Sequence, residues 1–357
     1  MELHAKQPAA PGLDSADCCF ADSWGASLPT SVTLTGLELL LEIGLACARP
    51  SSFNDPALLF GLFRYATVLS ANGTWLALDR NIRTLDRHKK GVLSDEFGCG
   101  MACMVARQFA NVDNFLDLSD AIRLGWVRTN APRSRQPDYV GVVTGSTQLV
   151  VLEAKGSQGD RQYCRNKQVP SGCDQVSRVR PTAPGYTLAL RLVTSILLQR
   201  EDQATRSSVF VGDPEEAAPY DYEFRDDVRQ LCARHHFMRA AVLIGDEPLA
   251  RALASGEPLR QTTPRDAGVL VRRTISREMH VGSELRFSDR NQEAGLFVGI
   301  GERVWRVASH AKFEPSDSRE LSVHGATEGR RARVVHETAH RTAVMGNDGV
   351  IMEVWTA

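Results

Sequence analysis

The most constraining feature of this sequence is a short apolar run that ends in charged residues. Residues 149–152 (Leu-Val-Val-Leu) contain no polar position, which is typical of a strand covered on both faces in the centre of a sheet. Glu153-Ala154-Lys155 follows directly, and burying such charges is costly unless they are paired or bind a metal ion. Because residues i and i+2 of a strand share a face, we expect Glu153 and Lys155 to point the same way.

A second strand-like segment, 138–143, precedes this run, and turn residues at 144–147 separate the two, which predicts a β-hairpin. The hairpin would bring Asp138 alongside Glu153 and Lys155. Hard oxygen ligands of this kind favour Mg²⁺, with Mn²⁺ as the second choice, and the Ala154 carbonyl is a further candidate ligand. Lys155 would then orient the attacking water or help to deprotonate it, and stabilise negative charge on a phosphate.

Pro137-Asp138, a gap, and then Glu153-Ala154-Lys155 resemble the PD-(D/E)xK motif of the restriction-endonuclease-like nuclease superfamily. The resemblance covers about a third of the chain, roughly 90–210. It implies an α/β core with a mixed central sheet flanked by helices, Mg²⁺ bound by Asp138 and Glu153, and Lys155 beside the nucleophilic water. Some members add an acidic residue on the preceding helix and a Gln on the following one, which here correspond to Glu96 and Gln175.

The residues around the motif, a Ser-Arg pair before Pro-Asp and Glu-x-Lys-Gly after it, resemble bacterial proteins found among phage-defence genes. This resemblance implies a DNA endonuclease with a role in antiviral defence. The partners it implies are nucleic acid (DNA first), a second copy of the chain in a homodimer, and a protein of the same defence system.

Charge is unevenly distributed along the chain. The whole sequence has a net charge of −1, which excludes a histone-like cation. Residues 121–180, however, contain ten basic and four acidic side chains. A basic segment around the candidate site fits contacts with phosphate groups, and contact through one face is the expected mode of binding.

Three alternatives remain open at this point. One is a nuclease-fold protein that binds nucleic acid or a partner without cutting it. Another is a zinc metallopeptidase, because residues 336–340 read His336-Glu337-Thr338-Ala339-His340, an HExxH motif that binds Zn²⁺ when it is helical, with Glu353 as a candidate further ligand. The third is structural: Glu-x-Lys on a strand is often a surface ion pair, and an acid such as Glu96 in a first turn stabilises a helix dipole.

The 357 residues are enough for about two domains, and the pattern along the chain predicts four regions. These are a flexible arm (1–34), a helical N-terminal region (35–90), the nuclease-like core (91–212) and a C-terminal α/β region of unknown role (213–357). Within them we expect helices at 37–48, from 56 to 69, from a Ser94 cap, at 173–178, 222–238 and 247–254. Strands are expected at 188–198, 208–211, 240–244, 268–271, 295–300 and 303–307, with a final hairpin at 342–345 and 350–355.

Targeting signals and cysteine motifs are not apparent in the sequence. No apolar stretch approaches the roughly 20 residues that span a bilayer, and the first 35 residues do not resemble a signal peptide. Eight cysteines without a CxxC pair indicate reduced thiols rather than a zinc site. We therefore expect a cytoplasmic protein without a membrane partner.

Overall fold

The computed structural model describes most of the chain as a mixed α/β protein. The described residues are 12–15, 34–48, 65, 68–70, 75–129, 136–143, 146–182, 186–212, 214, 227–259, 270–289, 292–310, 333–338, 341–345 and 350–356. None of the helices in these ranges combines the length and the hydropathy needed to cross a membrane.

Contacts divide the chain into two compact units. The central unit comprises Gln7–Leu34 and Thr67–Cys232, and the C-terminal unit comprises Met1–Lys6, Thr35–Ala66 and Ala233–Ala357. The divisions fall at 6/7, 34/35, 66/67 and 232/233, whereas the sequence pattern placed boundaries at 34/35, 90/91 and 212/213.

The central unit is built on a six-stranded mixed sheet flanked by helices. Its strands in spatial order are β1 (Gly12–Ser15), β8 (Ser208–Gly212), β7 (Thr187–Leu197), β5 (Gln148–Ser157), β4 (Tyr139–Val143) and β2 (Val112–Asp117). Strands β5 and β7 are parallel, as are β1 and β8, and the other pairs are antiparallel. The predicted hairpin is confirmed, and β5 lies inside the sheet as its apolar run requires.

Helices of the central unit cover both sides of β5. They are α2 (Arg87–Ala110), α3 (Leu118–Arg123), and a helical segment made of α4 (Arg161–Tyr163), a π-helical stretch (Cys164–Gln168) and α5 (Val169–Ser177). A 3-10 helix (Arg80–Thr84) precedes α2, and a two-stranded ribbon pairs β3 (Val127–Thr129) with β6 (Val179–Pro181). The ribbon and α3 pack with α5 on a cluster that includes Val151, Val193 and Trp126.

Helix α2 begins earlier than the sequence pattern predicts. The Asp86 side chain accepts a hydrogen bond from the Lys89 amide at 2.9 Å and caps the helix, so residues 87–93 are already helical. Ser94, the predicted cap, lies inside the helix and donates to the Lys90 carbonyl instead.

The C-terminal unit is built on an antiparallel six-stranded sheet. Its strands in spatial order are β12 (Arg333–Thr338), β13 (Arg341–Met345), β14 (Val350–Thr356), β11 (Gln292–Gly301), β10 (Glu278–Asp289) and β9 (Val271–Ile275). Its helices are α1 (Gly36–Cys47), most of α6 (Asp227–Leu243), α7 (Glu247–Ser255) and α8 (Glu302–Ser309). The Trp305 indole on α8 donates to the Asp246 carboxylate that caps α7, at 2.8 Å.

Two predicted strands of the C-terminal region are wrong. Residues 240–244 continue helix α6, and residues 303–307 lie in helix α8, where Trp305 and Ala308 are buried. A short apolar or β-branched run does not distinguish a buried strand from a buried helix face. The predicted helix at 37–48 is confirmed as α1, including the reciprocal hydrogen bonds between Thr35 and Glu38 that cap it.

Part of the predicted N-terminal arm and one predicted helix need separate comment. Residues 12–15 form β1, which pairs with β8, so the arm is not wholly loose. The rest of the arm, apart from Leu34, lies outside the described residues. The predicted helix at 56–69 also lies outside them, except for Tyr65 and 68–69.

Candidate functional site

The candidate site lies where β4 and β5 stop pairing. Their last register pair is Tyr139 with Leu152, and the Asp138 amide donates to the Leu152 carbonyl at 3.2 Å. Two residues further along β5, the Ala154 amide donates to Asp138 Oδ2 at 2.9 Å. The Asp138 side chain thus occupies the place of a backbone partner on this side of β5, while the other side stays paired with β7 through Ser157.

The same geometry determines the direction of the Ala154 carbonyl. In a strand, the N–H and C=O of one residue point to the same side. Because the Ala154 amide faces Asp138, its carbonyl also faces the side of β5 that β4 has left. Two kinds of hard oxygen, a carboxylate and a carbonyl, are therefore available there.

Glu153 and Lys155 lie on one face of β5, as the i, i+2 spacing predicts. They form a direct ion pair between Lys155 Nζ and Glu153 Oε1. Glu153 is 1% exposed, whereas about a quarter (26%) of the Lys155 side-chain surface remains accessible. The carboxylate is thus held inside the protein and the ammonium group reaches towards solvent.

Gln175 reaches the same carboxylate from helix α5. With its amide nitrogen facing Glu153, it donates to both carboxylate oxygens, at 3.0 Å to Oε2. The helix comes this close because Gly172 has no side chain: a Cβ there would lie 3.2 Å from Glu153 Cγ and against Val193. The structure therefore brings Gln175 together with Asp138, Glu153 and Lys155.

Helix α2 packs on the opposite face of β5 through glycines on both elements. A Cβ on Gly98 would lie 2.8 Å from the Lys155 carbonyl carbon, and one on Gly156 would overlap the Ser94 carbonyl. This contact fixes the backbone of β5 just after the two charged residues.

Protonation of the two carboxyls is coupled. Burial, and next the negative charge of Asp138, raise the pKa of Glu153 to about 8, although Lys155 opposes the shift. Burial also raises the pKa of Asp138, against the hydrogen bond from Ala154 and the charge of Lys155. Burial and the mutual repulsion of the two carboxylates thus favour retention of one proton by the pair at neutral pH.

Glu96 lies on α2, the helix that packs on β5, and its role as a metal ligand stays a prediction. Its neighbour Asp95 interacts electrostatically with Lys155. Across the described ranges, no three His, Cys, Asp or Glu side chains are arranged to hold a metal ion.

Sequence reasoning also missed Asp117, the last residue of β2. It pairs in register with Tyr139, next to Asp138, and its charge contributes to raising the pKa of Asp138. The available signal was a carboxylate directly after the apolar pair Phe115-Leu116, but the pairing of β2 with β4 is not apparent from the sequence. Gln168 was missed as well: it donates to the Gly156 carbonyl at 3.0 Å and accepts from Ser195 at 2.8 Å.

The HExxH segment has the wrong secondary structure for a zinc peptidase. His336 and Glu337 lie on strand β12, paired with Ala343 and Thr342. His340 lies outside the described residues. Glu353 forms an ion pair with Arg273 at 2.6 Å. The described part of the motif is therefore a strand and not the helix that a zinc-binding HExxH requires.

Interpretation of the candidate site rests on its own geometry and chemistry. No family model matches the chain, and no curated protein or solved structure matches it either.

Proposed function

We propose that this protein hydrolyses phosphodiester bonds of nucleic acid, with Mg²⁺ as the metal ion and DNA as the expected substrate. One observation carries the proposal: Asp138, Glu153 and Lys155 converge where β4 leaves β5, beside a carbonyl that faces the same opening. The proposal includes a restriction-endonuclease-like core. The order of elements along the chain, helix α2, the β4–β5 hairpin and then helix α5, is the order that the PD-(D/E)xK resemblance implies.

The donor set fits a hard divalent cation. Asp138 and Glu153 supply two carboxylates, and the Ala154 carbonyl is the third oxygen in reach of the opening. Mg²⁺ in phosphoryl-transfer sites is usually bound by one or two carboxylates together with substrate phosphate and water. The buried pair holds a proton that a divalent cation would replace, which relieves the cost of its negative charge.

In the proposed reaction the side chains position groups around one phosphate. A bound metal ion would lower the pKa of a water ligand and polarise the phosphoryl oxygen. Water adds to phosphorus as the bond to the leaving oxygen breaks, and that oxygen gains a proton. Lys155 stabilises the charge that develops on the phosphate, while Gln175 and Lys155 keep the Glu153 carboxylate oriented.

A pair of arginines supports nucleic acid as the substrate. Arg128 on β3 and Arg180 on β6 are register partners in the ribbon, and like charges placed directly opposite one another repel. Arg128 is exposed, and Arg180 donates to the Ser177 and Val179 carbonyls. In the described part of the chain neither guanidinium pairs with a carboxylate, so a phosphate group would supply the missing charge.

The proposal is tested by incubating the full chain with plasmid DNA, linear DNA and RNA in Mg²⁺, Mn²⁺ or EDTA. Wild type should cut in either metal and not in EDTA, and Asp138→Asn and Lys155→Met should abolish cutting. Asp174→Asn removes an exposed carboxylate of α5 and should leave cutting unchanged. Cleavage that persists in both site variants would exclude this site.

Retention of DNA without cleavage under every condition would support the second candidate, a nucleic-acid-binding protein on the same fold. The direct pairing of Lys155 with Glu153 is the observation that favours it, because an ammonium group held by the carboxylate competes with a metal ion.

A further inference from the structure

The helical segment that follows β5 is fixed to the candidate site on its inner side. Asp160 accepts from the Tyr163 amide at 2.7 Å and starts the segment. Cys164 and Val169 are fully buried, and Gln168 binds both the Gly156 carbonyl and the Ser195 hydroxyl. Gly156 follows Lys155, so this segment is held one residue away from a proposed catalytic side chain.

The outer side of the same segment presents an aromatic ring to solvent. Tyr163 is 50% exposed, and the only other exposed large hydrophobic residue in the described ranges is Met279. Arg165 and Lys167, two and four residues further on, are exposed as well. Residues 161–168 contain three basic side chains and no acidic one.

The neighbours of Tyr163 indicate the chemistry of its partner. A protein partner would require further apolar surface around the ring, but Gln162 and Asn166 are polar and exposed. Tyr163 and Lys167 are four residues apart, about one helical turn, so a ring and a cation lie on the same side of the segment. This pair suits a nucleic acid strand, because a base stacks on the ring while a phosphate contacts the cation. The π-helical stretch also indicates a functional role for this segment, since such irregularities are frequent at functional sites.

Base pairing determines which nucleic acid can use the ring. In a duplex the base faces are stacked on one another and inaccessible to a surface side chain, whereas an unpaired base can stack on an aromatic ring. We therefore propose that Tyr163, with Lys167, binds an unpaired base next to the cleavage site, so that the substrate class is single-stranded or locally unpaired nucleic acid. This inference rests on the proposed function for its position along the substrate.

Binding in EDTA tests the inference separately from cleavage. The full chain is titrated into a fluorescein-labelled single-stranded oligodeoxynucleotide and into the blunt duplex of the same sequence, and anisotropy is recorded. Tyr163→Ala should weaken single-strand binding at least about fivefold and leave duplex binding within about twofold. Tyr163→Trp should retain wild-type affinity because it keeps the stacking surface. Met279→Ala, the matched exposed apolar residue, should change neither.

Lys167→Ala separates the phosphate contact from stacking. It should reduce the dependence of log affinity on log salt by about 0.7 for the single strand. Equal single-strand affinities for wild type and Tyr163→Ala, with an unchanged circular dichroism spectrum, would overturn the inference. So would an equal loss of affinity for the duplex. If single-strand binding depends on Tyr163 but the protein cuts no substrate, the proposed hydrolysis is refuted and the binding inference is not.

Discussion

The backbone amide of Ala154 donates to Asp138 Oδ2 at 2.9 Å. This bond holds the carboxylate that precedes β4 against the part of β5 that β4 does not pair with. It forms because β4 ends its pairing at Tyr139 while β5 continues to Ser157. The position of Asp138 is thus determined by the backbone of β5, and that of Glu153 by Lys155 and Gln175. Asp138 and Glu153 therefore meet because β5 extends beyond the end of β4.

Replacing Glu153 should change how stability depends on pH. Its carboxyl loses a proton near 4.5 when unfolded and near 8 when folded, so the folded chain binds more protons between these values and becomes less stable as pH rises through them. The interval is equivalent to at most about 5 kcal/mol, and the folded pKa of about 8 already includes the opposing charge of Lys155. Glu153→Gln removes this pH-dependent cost. The free energy of unfolding of the variant, relative to that of wild type, should therefore be higher at about pH 9 than at about pH 5, by about 1–3 kcal/mol.

Urea unfolding at the two pH values measures this difference. Glu247→Gln, which removes an exposed carboxylate paired with Arg251, should have the same small effect at both. A Glu153→Gln effect that does not vary with pH would mean that the buried carboxyl is ionised throughout.

Mg²⁺ binding should release a proton near neutral pH. The carboxyl pair keeps one proton below about pH 8, and a divalent cation must displace it. Apparent affinity should then rise about tenfold for each pH unit below pH 8 and level off above it. Calorimetry in two buffers with different ionisation enthalpies gives the number of protons, which we expect to be about one. Asp138→Asn should abolish binding, and binding without proton release would contradict the shared proton.

The hairpin and its side-chain directions were predictable because they depend on local pattern. The apolar run at 149–152 identifies a buried strand, the turn residues place β4 opposite it, and the i, i+2 rule sets Glu153 and Lys155 on one face. Gln175 came only from the resemblance to the nuclease motif, which implies a Gln on the following helix. These features require only one neighbouring strand and one following helix.

The contribution of α2 was not predictable, because it depends on how the helix is rotated against the sheet. Consecutive residues Asp95 and Glu96 differ by about 100° around the helix, and the packing of Gly98 against Lys155 decides which of them faces the site. A strand–strand contact far along the chain, such as that of Asp117 with Tyr139, likewise has no local signal. The errors at 240–244 and 303–307 arose from short apolar runs that fit either element.

Removing Arg128 should weaken binding to DNA without changing its sequence preference. Its guanidinium faces Arg180 across the ribbon and has no carboxylate partner in the described part of the chain, so a phosphate contact would be lost. Arg128→Ala should reduce the slope of log affinity against log salt by about 0.9 on duplex DNA. Arg178→Ala is the control, since Arg178 is already neutralised by Asp174 at 2.8 Å. If the salt dependence of binding has the same slope for Arg128→Ala and wild type, the β3–β6 ribbon does not contact the DNA.

A methyl group at Gly156 should separate α2 from β5 and disturb the site. The new Cβ would overlap the Ser94 carbonyl, and backbone atoms cannot move aside as a flexible side chain can. Gly156→Ala should therefore destabilise the protein by about 1–3 kcal/mol and reduce cleavage, because Lys155 precedes the displaced residue. Gly91→Ala lies on the same helix with no atom within 4 Å, and it should stabilise by about 0.5–1 kcal/mol through helix propensity. Thermal unfolding and cleavage assays of the two variants test whether Gly156→Ala destabilises the protein and Gly91→Ala stabilises it. A neutral Gly156→Ala would mean that α2 does not hold β5 at this point.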